Sequence, residues 1–310
     1  MTESQLLPFN FGGIAEAKYA GFDDSRILVW PIPYEGTVSY GSGTGDGPRA
    51  IINASRNMEL YDEEIENSVY RLGIHTLPEL GIAAQPAAMM ARIEQEAQKL
   101  LATGKFLATL GGEHSISGPI VRAFAKQVPD LSVLQIDAHT DLRETYDGTP
   151  HSHTSIMARV VEVCPVVQVG IRSISEVEAK RLPTIPSAVF WARDIVGRTD
   201  WYEDAISHLT QNVYLTIDID GFDPSLVPST GAPEPGGLSW YDVIGIVRAT
   251  ACARNIVGMD LTELAPMPEN SAPDFLAARL VYKCLGYIFQ NEIGRPAVES
   301  ERRTVQLDEL

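Results

Sequence analysis

Short β-branched runs alternate with amphipathic helical stretches along most of the chain, and this alternation limits the possible folds more than any other feature. Residues 27–30, 106–110, 133–136, 166–169, 188–191, 213–217 and 256–259 read as strands. Residues 48–61, 87–102, 117–126, 155–163, 176–182, 201–209, 239–252 and 272–288 carry helical periodicity. Strands separated by helices at this spacing build βαβ units, whose crossovers demand a mainly parallel sheet covered on both faces. The expected fold class is therefore α/β, a three-layer α/β/α arrangement. Ser239 and Asp242 form a Ser-x-x-Asp pair that predicts an N-terminal cap for the seventh helix. The Pro/Gly-rich segment 223–237 lies inside the alternation and reads as a functional loop, and no linker or repeat divides residues 1–310, so one domain is expected.

The titratable residues follow the same rhythm. Four of the six histidines fall between positions 114 and 153. Gly111-Gly112-Glu113-His114, Asp137-Ala138-His139-Thr140-Asp141, Asp218-Ile219-Asp220 and Asp260-Leu261-Thr262-Glu263 each begin where a predicted strand ends. In an open parallel sheet that edge is where sites are built. On an extended segment positions i, i+2 and i+4 share a side, which predicts that Asp137, His139 and Asp141 face one centre and that Asp218 and Asp220 do likewise. Carboxylates gathered without counter-charge repel and are pushed to higher pKa, a cost that divalent cations remove. Two imidazoles and four carboxylates suit two ions with shared carboxylates, and an oxygen-rich set with some nitrogen favours Mn²⁺, with Ni²⁺, Co²⁺ or Fe²⁺ as alternatives.

Each piece also has an ordinary structural reading. Asp-x-Asp commonly forms a turn or cap, and Gly-Gly-x-His can be a tight turn with an incidental histidine. Their joint occurrence at strand ends favours the dinuclear site. The glycine-rich segment 41–47 lacks both the G-x-G-x-x-G register and the P-loop lysine, so it reads as a rim loop, not a phosphate cradle. His75 and His208 stand alone and read as structural; Cys164 and Cys252 fall in helical apolar patterns and read as packing residues.

Composition sets the outer limits. With 24 Lys+Arg against 41 Asp+Glu the net charge is −17, which argues against nucleic-acid or anionic-membrane partners and permits a cationic small molecule. The three cysteines form no CxxC pair, no run approaches membrane-spanning length, and residues 1–13 lack the basic and apolar regions of a secretory leader. A cytoplasmic protein is the expectation. The terminal LDEL (307–310) is similar to an ER-retention tail, a chance likeness if no leader precedes it.

In combination GGEHS (111–115), DAHTD (137–141), SH (152–153), DIDGFDP (218–224), TGAPEPGG (230–237) and GMDLTELAP (258–266) resemble the ureohydrolase family of arginases and agmatinases, as does PIPYEGTVSYGSGTGDGPRAI (31–51). TGAPEPGG leans towards the agmatinase side. The resemblance implies an arginase-like sheet of about eight strands, a trimer or hexamer, and hydrolysis of a guanidino compound to urea and an amine, foremost agmatine to putrescine. It implies that one metal takes His114 and Asp141, the other His139 and Asp220, with Asp137 and Asp218 bridging. His153 would deliver the proton to the leaving amine and Glu263 would orient the guanidinium. His151, two residues from His153, is a rival for the proton role. Thr154–Ser155 replaces the Gly-Thr common in agmatinases, which leaves tail specificity open. The loop 142–148 offers Glu144 and Asp147 to an ammonium tail, Arg143 weighs the other way, and an exposed loop with no substrate role is a third reading. 4-Guanidinobutyrate, aminopropyl-agmatine, another guanidino acid or free guanidine are alternative substrates. A catalytically dead regulatory homologue would be expected to have lost ligands, and all six are present. A two-metal phosphoesterase would need cations for phosphate, for which only Arg143 and Arg172 are candidates.

Overall fold

The computed structural model describes residues 7–293; the LDEL tail lies outside the described residues. Eight parallel strands form one sheet: β1 (Ile27–Ile32), β2 (Ile74–Thr76), β3 (Phe106–Gly111), β4 (Leu131–Ile136), β5 (Val166–Ile171), β6 (Ser187–Trp191), β7 (Asn212–Asp218) and β8 (Asn255–Thr262), in the order β2-β1-β3-β8-β7-β4-β5-β6. The helices are α1 (Ala17–Ala20), α2 (Gly47–Ser55), α3 (Pro86–Leu101), α4 (Ser117–Ala125), α5 (Ile156–Val160), α6 (Glu176–Arg181), α7 (Ala192–Ile195), α8 (Tyr202–Ser207), α9 (Trp240–Ala253) and α10 (Ala272–Ile293).

Alternation along each strand explains the three layers. Ile27 and Val29 of β1, with Leu134 and Ile136 of β4, pack on the face covered by α2, α8, α9 and α10. Their neighbours Leu28, Trp30, Leu131 and Val133 turn to the opposite face, under α3, α4 and α5. Strands buried on both faces need to be apolar throughout, which is why their sequences are continuous β-branched runs. Ser239 and Asp242 cap α9 reciprocally, as the sequence predicts.

Two expectations are corrected. β2 was not expected: its three residues carry no periodicity of their own, and the strand exists because it pairs with β1. Its His75 Nδ1–H donates to the Ala20 carbonyl, 2.8 Å away, in a structural role. Cys252 is exposed on α9, not packed, whereas Cys164 is buried just beyond α5. Among the described residues no helix is long and apolar enough to cross a membrane.

Candidate metal centre

The four central strands, β3, β8, β7 and β4, are adjacent and each ends in one chemical motif. His114 follows β3, Asp137–Asp141 follows β4, Asp218 closes β7 with Asp220 in the turn beyond, and Glu263 follows β8. This is the crevice at which chain order reverses across the sheet, the usual location for ligands in open parallel sheets.

Two groups of ligand-type side chains overlap there: His114, Asp137 and Asp218, and Asp137, His139 and Asp220, with the donor atoms of each group within 4.8 Å of one another. Asp141 joins the first group, its Oδ2 being 3.1 Å from His114 Nδ1. His139 Nδ1 lies 2.9 Å from Asp220 Oδ2. Asp137 alone belongs to both groups. Residues 137–141 converge by a different route from the one expected. They form an irregular turn, not an extended segment: the His139 N–H donates to Asp137 Oδ1 (2.6 Å), the Ala138 N–H donates to Asp220 Oδ1 (3.0 Å), and Asp141 has φ +52°. Aspartate tolerates this left-handed conformation better than most residues. Around Asp141, Glu178 Oε1 accepts from the Thr140 hydroxyl (2.8 Å) and the Leu142 N–H (2.9 Å), and the Asp141 carbonyl accepts from Met157 and Ala158 of α5. Asp-x-Asp is both a cap and part of the cluster, since Asp218 Oδ1 accepts from the Asp220 N–H at 3.0 Å.

Electrostatics follow from this crowding. Burial and then Asp137 push Asp141 up to about 7. Burial, Asp220, Asp137 and Glu263 raise Asp218 well above its ordinary value. Burial and Glu113 do the same for Glu263. Asp137 departs from the expected rise: burial opposes its charge, but hydrogen bonds with His114 and His139 outweigh burial and hold it low. Burial opposes the His139 charge too, but Asp220 and Asp137 prevail and push it up to about 12. The two imidazoles thus offset part of the clustered negative charge with their protons. The donor set of carboxylate oxygens and two imidazoles fits a pair of divalent cations, which would replace that proton charge.

A cleft of about 240 Å³ opens over the cluster, lined by Asp141, Asp218, Asp220, Glu263 and His153 as well as Arg143 and Tyr146. Glu263 is buried at φ +64°, with Oε1 accepting the His114 N–H at 2.6 Å. His153 lines this cleft; His151 lines a different cavity with Arg122 and Arg159, which separates the two histidines by position. Burial, then the neighbouring His114 and His139, hold His153 down to about 4, so its imidazole is neutral near pH 7.

The surrounding charges are mostly committed. Arg172 donates to the backbone carbonyls of Gly170, Asp220, Gly221, Phe222 and Glu234, which leaves it no role as a phosphate ligand. Glu144 pairs with Arg159 (2.7 Å) and Arg181 (2.6 Å) and does not line the cleft, so the sequence expectation that it receives an ammonium tail is corrected. Asp147 does not line it either. In the segment 41–47 the Gly43 and Gly45 N–H groups donate to the Glu35 carboxylate, an internal anion that occupies what a phosphate would need; the loop is a rim.

Sequence reasoning missed the residues behind the ligands. His114 Nε2 is 2.9 Å from Thr216 Oγ1, whose proton goes to Asp260 Oδ1 at 2.6 Å. That relay turns Nδ1 towards the carboxylates. Asp260 heads the motif that supplies Glu263 and also accepts from the Tyr214 hydroxyl (2.8 Å), contacts that the sequence does not signal.

The profile of the Arginase family matches residues 25–286. An N(1)-aminopropylagmatine ureohydrolase of Synechocystis sp. is 39% identical over 275 residues, covering 86% of this chain and 90% of that protein. An agmatinase of Bacillus anthracis is 36% identical over 284 residues, covering 86% and 93%. The crystal structure of agmatine ureohydrolase of Thermoplasma volcanium superposes with a TM-score of 0.82 at 26% identity, over 92% of this chain and 96% of that one. The match spans the sheet and every motif at its carboxyl edge, and the chain belongs to the arginase family.

Proposed function

We propose that this chain, acting as a single domain over residues 1–310, hydrolyses a guanidino compound to urea and an amine, with agmatine giving putrescine as the leading substrate. The observation that carries this reading is the pair of overlapping ligand groups beneath a cleft that also contains Glu263 and His153. His114, Asp141, Asp137 and Asp218 would hold one divalent ion and His139, Asp220, Asp137 and Asp218 the other, Mn²⁺ foremost and Ni²⁺ or Co²⁺ as alternatives. Such a pair lowers the pKa of a shared water and stabilises negative charge developing at the reacting carbon.

The chain's own groups do the rest. The Glu263 carboxylate, whose pKa burial and Glu113 raise, gains its counter-charge when a guanidinium arrives and holds the planar group by paired charge-assisted contacts. His153, neutral at rest, accepts a proton from the attacking water and returns it to the leaving nitrogen. Overall, R–NH–C(NH₂)₂⁺ and H₂O become R–NH₃⁺ and CO(NH₂)₂, with charge and atoms conserved.

The similarity to an aminopropylagmatine ureohydrolase favours a second reading, in which the same chemistry acts on an agmatine extended by an aminopropyl group. A homo-oligomer, trimer or hexamer, in the cytoplasm completes the proposal. Urea release from agmatine, aminopropyl-agmatine, 4-guanidinobutyrate and guanidine, measured with Mn²⁺ and then Ni²⁺, tests it. Turnover of agmatine supports the leading name, turnover of another guanidino compound alone moves the substrate, and no urea from any of them refutes the activity.

A further inference from the structure

We propose that Thr37, backed by Glu113, is a positioning residue that sets the tautomer of His153, placing the proton on Nδ1 and leaving Nε2 free to accept. Glu113 lies fully buried. Its carboxylate accepts from the Gly36 N–H (2.7 Å), the Thr37 N–H (2.6 Å), the Thr37 hydroxyl (2.7 Å) and the Ser115 hydroxyl (2.5 Å). All four groups donate, so both carboxylate oxygens serve as acceptors. The single hydroxyl proton of Thr37 is therefore spent on Glu113, and Thr37 Oγ1 can only accept from anything else.

Two groups of His153 approach that oxygen, the backbone N–H at 3.1 Å and ring Nδ1 at 3.4 Å. Nδ1 must then carry the hydrogen. Ser152 Oγ, 3.3 Å from Nδ1, has a freely rotating proton and adapts to either tautomer; Thr37 does not. On the other side of the ring, Nε2 faces Ser39 Oγ at 3.2 Å, at the wall of the cleft. The protein uses the same arrangement for His114, where Thr216, its proton committed to Asp260, fixes the opposite nitrogen. In both cases a carboxylate commits a threonine proton and the threonine oxygen then dictates one imidazole N–H.

The consequence rests on the reaction proposed above. As the water O–H bond breaks, its proton bonds to the Nε2 lone pair; the Nε2–H bond then breaks as that proton passes to the leaving nitrogen, and the Nδ1–H form is restored. A ring protonated at Nε2 instead could not begin the cycle.

The test compares Thr37→Val, which keeps the shape and removes the oxygen, with Thr37→Ser, which keeps the oxygen. The valine variant is expected to lose about 10- to 100-fold in kcat, with KM changed less than about twofold and metal content unchanged, and the serine variant to recover most of the rate. Independently of turnover, ¹⁵N NMR of the metal-free wild-type protein should show the His153 proton on Nδ1. Full kcat in Thr37→Val, a serine variant as slow as the valine one, or a spectrum with the proton on Nε2 would overturn the proposal. Wild-type protein that releases no urea from any guanidino compound would sink the reaction and leave the tautomer to be decided by the spectrum.

Discussion

Two acidic clusters in this molecule behave in opposite ways. In the first, Asp62, Glu63 and Glu64 surround Lys283 of α10, whose Nζ lies 2.9, 3.2 and 3.1 Å from their carboxylates. Arg279 pairs with Glu63 and Arg248 with Glu64. Lys283 is only 3% exposed, and burial opposes its charge, yet its acidic partners raise its pKa. Glu64 is held below its ordinary value: burial works against it, but hydrogen bonds from Tyr287 and Lys283 outweigh burial. In the second cluster, at the carboxyl edge of the sheet, Asp141, Asp218 and Glu263 all rise, and no Lys or Arg belongs to either ligand group. The carboxylates of the first cluster are matched by Lys283, Arg279 and Arg248, whereas the second has only two imidazoles, which hold Asp137 low and leave Asp141, Asp218 and Glu263 raised. The first is a clasp between α10 and the segment 62–64; the second is built to receive positive charge.

The predictions that would break this comparison differ in size. Asp137→Asn removes the one carboxylate common to both ligand groups, so urea release should be abolished and metal content should drop to roughly one ion per chain or fewer. Unchanged metal content would contradict the shared role. His153→Ala should cost about 10²- to 10⁴-fold in kcat while both ions remain bound, and His151→Ala should leave the rate near wild type. The reverse pattern would move the proton role to His151. Lys283→Met leaves Asp62 buried without its cation and should destabilise the fold by about 3–5 kcal/mol in denaturant melts, with metal binding intact. Arg248→Ala, at a half-exposed pair, should cost no more than about 1 kcal/mol.

How much of this was legible beforehand follows from where the information sits in the chain. The six histidines and aspartates that converge at the carboxyl edge were readable because each motif is contiguous and sits where a β-branched run stops. The sheet was readable for the same reason, apart from β2, whose register comes entirely from β1. The left-handed turn at Asp141 was not, since Glu178, 37 positions on, helps impose it through Thr140 and Leu142. Thr37, Thr216 and Asp260 were invisible as well, because a threonine in a loop or strand carries no signal until a distant histidine meets it. Glu113 shows in the sequence only as the residue before His114, and its carboxylate organises the loop at Gly36 and Thr37. Lys283 did leave a trace, a single lysine within the apolar face of α10.

The central claim is that the carboxyl-edge cluster has more carboxylates than its two imidazoles can match and takes the remaining positive charge as divalent metal. Metal content of wild-type and Lys283→Met protein after loading with Mn²⁺ and removal of free ions tests it most directly. About two ions per chain in both proteins is the expected result; fewer than about one in correctly folded wild-type protein would contradict it.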